Sequence, residues 1–329
     1  MAVGPIPPPL ICERLLDLLP RFGGTRLAGF EPNVAVCFPN GRVFGPGNVL
    51  APDGLSIARD VSPDFGKPAD QHWLLNYKKM RSPVLIPGET AVVAVPLGDG
   101  YCHWLLEELP RLLVLRTRAP DSIIAHTRSL FIREALEFGR FPLASFREPT
   151  RYSHFECERL IVPVLDGEPG RPSARTAQLL TEFVAPLIAK ASAFGERLYI
   201  SREKATRRRV VNHAELWPYL EARGFTKICA EELTWAEQIN AFAHAKVIVA
   251  PHGAGLANLV FCEPGTRVVE FFDRAYVNRC FERVAEIRGL DYRAIVTPSE
   301  GGPITCDPRA NRRDIYAEVS AITDALTTI

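Results

Sequence analysis

The chain has 329 residues, 47% of them hydrophobic, with 39 basic against 38 acidic side chains and a formal net charge of +1. That length and apolar content suit two ordinary domains with real cores and exclude a disordered chain. The balanced charge excludes a long-range pull toward nucleic acid or anionic membrane, so any positive site has to be local.

Met1–Pro9 is proline-rich and lacks the basic and apolar regions of a signal peptide. Leu10–Leu19 (LICERLLDLL) reads as a short amphipathic helix that packs on its own domain. Residues 25–100 are rich in Gly and Pro and predict several short strands joined by turns. Thr90–Leu97 is a buried strand that stops at Gly98-Asp99-Gly100, and the leucine spacing from Cys102 to Arg116 predicts a helix kinked or broken near Pro110. Strands are expected at Ser122–Ala125 and Leu160–Val164. Asp166–Ser173 (DGEPGRPS) reads as a linker, which sets an N-terminal domain at 1–170 and a C-terminal one at 171–308. After a helix at Ala174–Ala193 the pattern alternates regularly. Strands fall at Arg197–Ser201, Phe225–Cys229, Val247–Ala250, Arg267–Phe272 and Tyr292–Val296, with helices between, one of them capped by Thr234. This order argues for an α/β fold with a doubly wound parallel sheet. A last helix, Ala310–Leu326, is expected to pack back on the N-terminal domain. No stretch is apolar and long enough to span a membrane, and the eight cysteines form no CxxC pair, which suits reduced thiols of a cytosolic protein.

The most informative segment is Val247–Leu259 (VIVAPHGAGLANL). A strand, a glycine-containing turn and a helix start in succession can turn bare backbone N–H groups toward an anion, which the helix dipole also favours. His252, Gly253, Ala254, Gly255 and Asn258 are therefore candidates for holding a diphosphate. Ligands of open α/β sheets sit at the carboxyl ends of strands, which adds Arg202, Glu270 and, from the run Arg207-Arg208-Arg209, Arg209. Arginine suits a diphosphate because its planar fork makes bidentate, charge-assisted bonds. Glu237, on the helix before this strand, is a candidate for a ribose or base, with a solvent-facing role equally open. In the N-terminal half His103 and Glu107 stand four apart on one helical face, where a carboxylate can orient an imidazole as a general base. No DxD triplet or third ligand supports a metal. An esterase reading of the His-Gly turn fails because no GxSxG follows, and the glycine pattern departs from the dinucleotide fingerprint GxGxxG.

YCHWLLEELPRL (Tyr101–Leu112), RLYISRE (Arg197–Glu203) and PHGAGLANLVFCEPGTRVVEF (Pro251–Phe271), in this order and spacing, resemble the family 61 glycosyltransferases, here of the bacterial capsule or polysaccharide type. The resemblance implies a GT-B arrangement of two Rossmann-like, doubly wound domains facing a central cleft. It implies an inverting, metal-independent transfer from a nucleotide sugar, expected as a UDP-sugar, to a glycan or glycolipid hydroxyl, with no further cofactor. The family's motif positions fall on His103, Glu107, Arg202, His252, Gly253, Gly255 and Asn258. Glu107 stands where many relatives carry aspartate. The accompanying expectations are a cytoplasmic protein at the inner face of the membrane, peripheral membrane contact and a homodimer. Two other readings stay open, an inactive carbohydrate-binding or scaffold protein on the same fold and a nucleotide-dependent enzyme of different chemistry.

Overall fold

The computed structural model describes residues 10–327 apart from 31–32, 66, 78–79, 168–169 and 298–302. Met1–Pro9, read as carrying no signal peptide, lies outside the described residues. The chain divides into two compact units, Met1–Pro172 and Ser173–Ile329, with the boundary at the end of the DGEPGRPS segment.

Unit 1 is built on nine strands: β1 (Ile11–Glu13), β2 (Thr25–Leu27), β3 (Val34–Phe44), β4 (Asn48–Leu50), β5 (Ser56–Ala58), β6 (Val84–Val92), β7 (Ser122–Ile124), β8 (Phe146–Arg147) and β9 (His154–Val164). They form one sheet in the order β1-β5-β4-β3-β9-β6-β7-β8, with β2 on β3. The stretch β9-β6-β7-β8 is parallel. The long strand β3 pairs antiparallel with β2, β4 and β9. A doubly wound parallel sheet is thus present in only part of this unit. The hairpin between β3 and β4 is the reason: Gly45 and Gly47 take φ of 60° and 121°, so the chain reverses in a turn too short for a crossover helix.

Leu10–Leu19 is not one helix, because Ile11–Glu13 pairs with β5 and leaves only Leu15–Leu18 helical. Leu15 and Leu18 are fully buried and join Val36, Phe38, Val92, Leu160 and Val162 in the core of this unit. Each such leucine contributes about 1.5–3 kcal/mol. From β6 the chain passes Gly98 to Gly100 into a helical run, 101–114. Pro110 neither breaks nor ends it. A single widened turn, Trp104–Glu108, precedes the proline, and the Leu109 N–H reaches back to the Trp104 carbonyl. Pro110 has no N–H and its ring crowds the carbonyl four residues earlier, and the wider turn relieves both defects.

Unit 2 carries β10 (Arg197–Ile200), β11 (Thr226–Ile228), β12 (Val247–Pro251), β13 (Arg267–Asp273) and β14 (Asp291–Thr297), all parallel, in the order β11-β10-β12-β13-β14. This is the doubly wound sheet the alternating pattern predicts. The winding reverses between β10 and β12, so their carboxyl ends form the topological switch point. Thr234 caps the helix Trp235–His244 with a full capping box. The last helix, Val319–Thr327, is shorter than expected and packs on β13 and β14, with Ile322 in the core beside Tyr199, Val249, Val269 and Phe271. It belongs to unit 2. Among the described residues no helix is long and apolar enough to cross a membrane.

Candidate active site

The switch point of unit 2 brings Arg202 to the turn of Gly253, Ala254 and Gly255. Arg202 follows β10 and lies across Gly253, the residue two past the end of β12. A Cβ built on Gly253 would stand 2.3 Å from Arg202 Nη1 and 3.0 Å from Cζ. Gly253 itself is extended (φ −177°), so its glycine serves this close approach and not an unusual backbone angle. Arg202 Nη2 donates to the Arg207 carbonyl at 3.0 Å, while its buried Nε has no partner among the described residues. Burial pulls its guanidinium below the ordinary value; Glu231 opposes that shift and Arg207 adds to it. A small cavity lies below the turn, lined by Ser201, Arg202, Glu231, Gly253 and Gly255 among others. Ala254 opens the short helix Ala254–Phe261, whose first N–H groups lack helical partners.

His252 directly precedes Gly253. It is buried, stacked on Phe272 at 5.2 Å and flanked by Tyr276 and Phe281. Its Nδ1 donates to Glu270 Oε1 at 2.6 Å, and Glu270 Oε2 accepts from the Tyr292 hydroxyl at 2.6 Å. Glu270 is wholly buried, so these two bonds meet the need for partners that a sealed carboxylate imposes, and no arginine is involved. With Nδ1 held by the carboxylate, Nε2 is the ring nitrogen left for a ligand.

The arginine that supports the turn is Arg208, which the sequence reading passed over in favour of Arg209. Arg208 Nε donates to the His252 carbonyl at 3.1 Å and Nη1 to the Asn311 carbonyl at 3.0 Å. Burial lowers its pKa to about 10, with Arg202 and Arg207 pushing the same way. Arg202, Arg207 and Arg208 therefore gather here, with the Glu231 charge acting on Arg202, and an anion relieves the mutual repulsion of the three cations. Nothing in a run of three arginines marks the middle one; its positive φ of 55° is the structural sign. Arg209 pairs with Asp314 at 3.1 Å and lines a separate cavity beyond Arg202.

Two further candidates have structural partners instead. The Glu237 carboxylate closes the capping box by accepting the Thr234 N–H at 2.8 Å. Asn258 is fully buried and donates to Gln238 Oε1 at 3.1 Å, fastening the short helix to its neighbour.

In unit 1 the helical run after β6 does bring His103 and Glu107 together. His103 Nδ1 donates to Glu107 Oε1 at 2.8 Å; the imidazole is 24% exposed and the carboxylate 7%. Phe65 lies against the imidazole at 4.2 Å between ring centres. The adjacent Glu108 was not singled out from the sequence, yet it organises the loop. It accepts the Val95 N–H at 2.8 Å and His126 Nδ1 at 2.6 Å, so it ties the end of β6 to the segment after β7. Gly98 makes room for it: a Cβ there would meet Glu108 Oε1 at 1.7 Å. Burial pushes the His126 pKa down, but the bond and charge of Glu108 outweigh it and the net shift is upward. Arg111, one turn on from Glu107, is buried, and its Nε and Nη1 have no hydrogen-bond partner among the described residues; burial lowers its pKa against the charges of Glu107, Glu108 and Asp60. Among the described residues no group of three or more His, Cys, Asp or Glu side chains is placed to hold a metal.

Unit 2 is thus a parallel α/β unit with a cationic, glycine-floored turn at its switch point. Comparison gives the family. The Glycosyltransferase 61 family model matches residues 101–269, just over half of the chain, and the chain belongs to that family. One segment is 35% identical over 69 residues to the beta-1,2-xylosyltransferase RCN11 of Oryza sativa subsp. japonica, covering 21% of this chain and 13% of that protein. Another match, 33% over 63 residues, is to a beta-1,2-xylosyltransferase of Arabidopsis thaliana and covers 19% and 12%. The matched segments thus span only about an eighth of the length of these relatives.

Proposed function

We propose that the chain is an inverting glycosyltransferase that moves a sugar from a nucleoside diphosphate, a UDP-sugar, to a glycan hydroxyl. The observation that carries this reading is the position of Arg202 over Gly253 at the switch point of unit 2. The diphosphate lies against Arg202, the N–H groups at the start of Ala254–Phe261 and His252 Nε2, with Arg208 holding the turn from behind. In unit 1 Glu107 fixes the His103 tautomer, which leaves His103 Nε2 to take the acceptor proton. The acceptor oxygen then bonds to the anomeric carbon from the face opposite the leaving group. The bond from that carbon to the diphosphate breaks, and the departing negative charge is met by Arg202 and the turn. In this reading the units are the two halves of a GT-B enzyme, unit 2 for the donor and unit 1 for the acceptor. The proposed setting is cytoplasmic assembly of a capsular or cell-surface polysaccharide.

The test is proton NMR of the sugar released or transferred from an α-linked UDP-sugar panel. The proposal expects a β-linked first product, and turnover at least about 100-fold lower in His103→Ala, the range general bases supply. An α-linked first product, or full turnover in that variant, overturns the assignment.

A further inference from the structure

Unit 1 holds a cavity of about 530 Å³ beside the proposed base, within the roughly 300–1,000 Å³ common for small-ligand sites. Its walls include Arg14, Arg59, Asp60, Asp64 and Phe65. Phe65 is the ring that packs on His103, so the cavity begins one aromatic side chain away from the imidazole.

The charges in this cavity are not equally engaged. Asp60 Oδ1 accepts the Leu15 N–H at 2.8 Å, and Asp64 Oδ2 accepts both Lys67 Nζ at 3.0 Å and the Trp73 N–H at 2.9 Å. The loop is tightly held: Ser62 Oγ accepts the Val49 N–H at 2.7 Å, and His72 bonds the Ser62 carbonyl with one ring nitrogen and the Leu74 N–H with the other. The guanidinium groups of Arg14 and Arg59 have no hydrogen bond or ion pair among the described residues. One oxygen of each acid is thus held by a backbone N–H, and with Lys67 the lining carries three cations against two anions, two of the cations being planar, fork-shaped guanidinium groups.

We propose that this cavity receives an acidic group carried by the acceptor glycan, a sugar carboxylate or sugar phosphate, bound by Arg14 and Arg59. The acid is held in the cavity whose wall Phe65 shares with His103. The inference rests on the transferase reading for calling this ligand an acceptor. It makes the enzyme selective for anionic glycans through unit 1 alone, apart from the donor site.

The experiment is a ligand-observed NMR titration of the full chain with glucuronic acid, glucose 6-phosphate, glucose and inorganic phosphate, alongside calorimetry with UDP. Both arginines are solvent-exposed, so the expected preference is modest: the two acidic sugars bind about tenfold more tightly than glucose at low salt, and the gap narrows sharply near ~1 M salt. In the double variant Arg14→Gln/Arg59→Gln the preference disappears, while UDP affinity and melting temperature stay at the wild-type values. Equal affinities for acidic and neutral sugars in the wild type overturn the proposal, as does a preference that survives in the double variant. Inorganic phosphate binding as tightly as glucose 6-phosphate also overturns it, because the cavity is then a free-anion site. Failure of UDP to bind counts against the donor site and leaves the comparison of sugars readable.

Discussion

Replacing Gly253 by alanine puts a methyl group where Arg202 Nη1 lies, 2.3 Å from the new carbon, and still only 3.0 Å from Cζ and 3.2 Å from Cδ. The backbone does not resist, since φ at this position is extended. The guanidinium has to swing away, and the charge-assisted bonds proposed between it and the diphosphate go with it. Such bonds are worth about 1.5–3 kcal/mol, which corresponds to a loss of roughly 10–150-fold in UDP affinity. Gly255→Ala is the control. Its Cβ meets Ala230 at 3.6 Å and Ile200 at 3.8 Å, ordinary contacts, so affinity stays within about twofold. Calorimetric titration of UDP into the wild type, both alanine variants, Arg202→Ala and the Gly253→Ala/Arg202→Ala double variant separates the causes. If the methyl acts through Arg202, the double variant is no worse than Arg202→Ala. Losses that add, or a Gly253→Ala protein that binds UDP like the wild type, refute the reasoning.

The raised pKa of His126 has a consequence for stability against pH. A histidine whose folded pKa exceeds its unfolded value of about 6.5 adds stability that is fully present below that value and is lost as pH rises through the folded pKa. Denaturant midpoints should therefore fall between pH 6 and the alkaline side of neutrality, and the fall should be smaller in Glu108→Gln; equal slopes in both proteins contradict the account. Tyr292→Phe removes one of two bonds to the sealed Glu270 carboxylate and should cost about 1–3 kcal/mol in urea unfolding, whereas an unchanged midpoint would show that Glu270 does not depend on the hydroxyl.

The parallel sheet of unit 2 was legible because each strand is a short apolar run bounded by a turn signal, and the helices keep their own spacing. The switch point followed from strand ends alone, which is why Arg202 and the His252–Gly255 turn could be placed. Antiparallel pairing in unit 1 was less accessible. Leu10–Leu19 satisfies a helical pattern, and only the pairing of Ile11–Glu13 with β5, more than forty residues away, makes part of it a strand. What the sequence leaves open in the site has a common cause. Arg208 and Arg209 are chemically identical, and which one turns inward depends on a positive φ that no residue type announces. The Tyr292 bond to Glu270 depends on the register of β13 against β14. Glu237 and Asn258 are polar residues near a glycine turn, and sequence alone cannot separate a side chain that meets a ligand from one that caps a helix or seals a contact.

The central claim is that a sugar nucleotide's diphosphate binds where β10 and β12 part. A crystal of the full chain soaked with UDP tests it most directly. The account predicts phosphate density against Arg202 and the N–H groups that follow Gly253, within hydrogen-bonding distance of His252 Nε2. UDP density elsewhere on the protein, or Arg202 filling that position unchanged while UDP binds in solution, would contradict it.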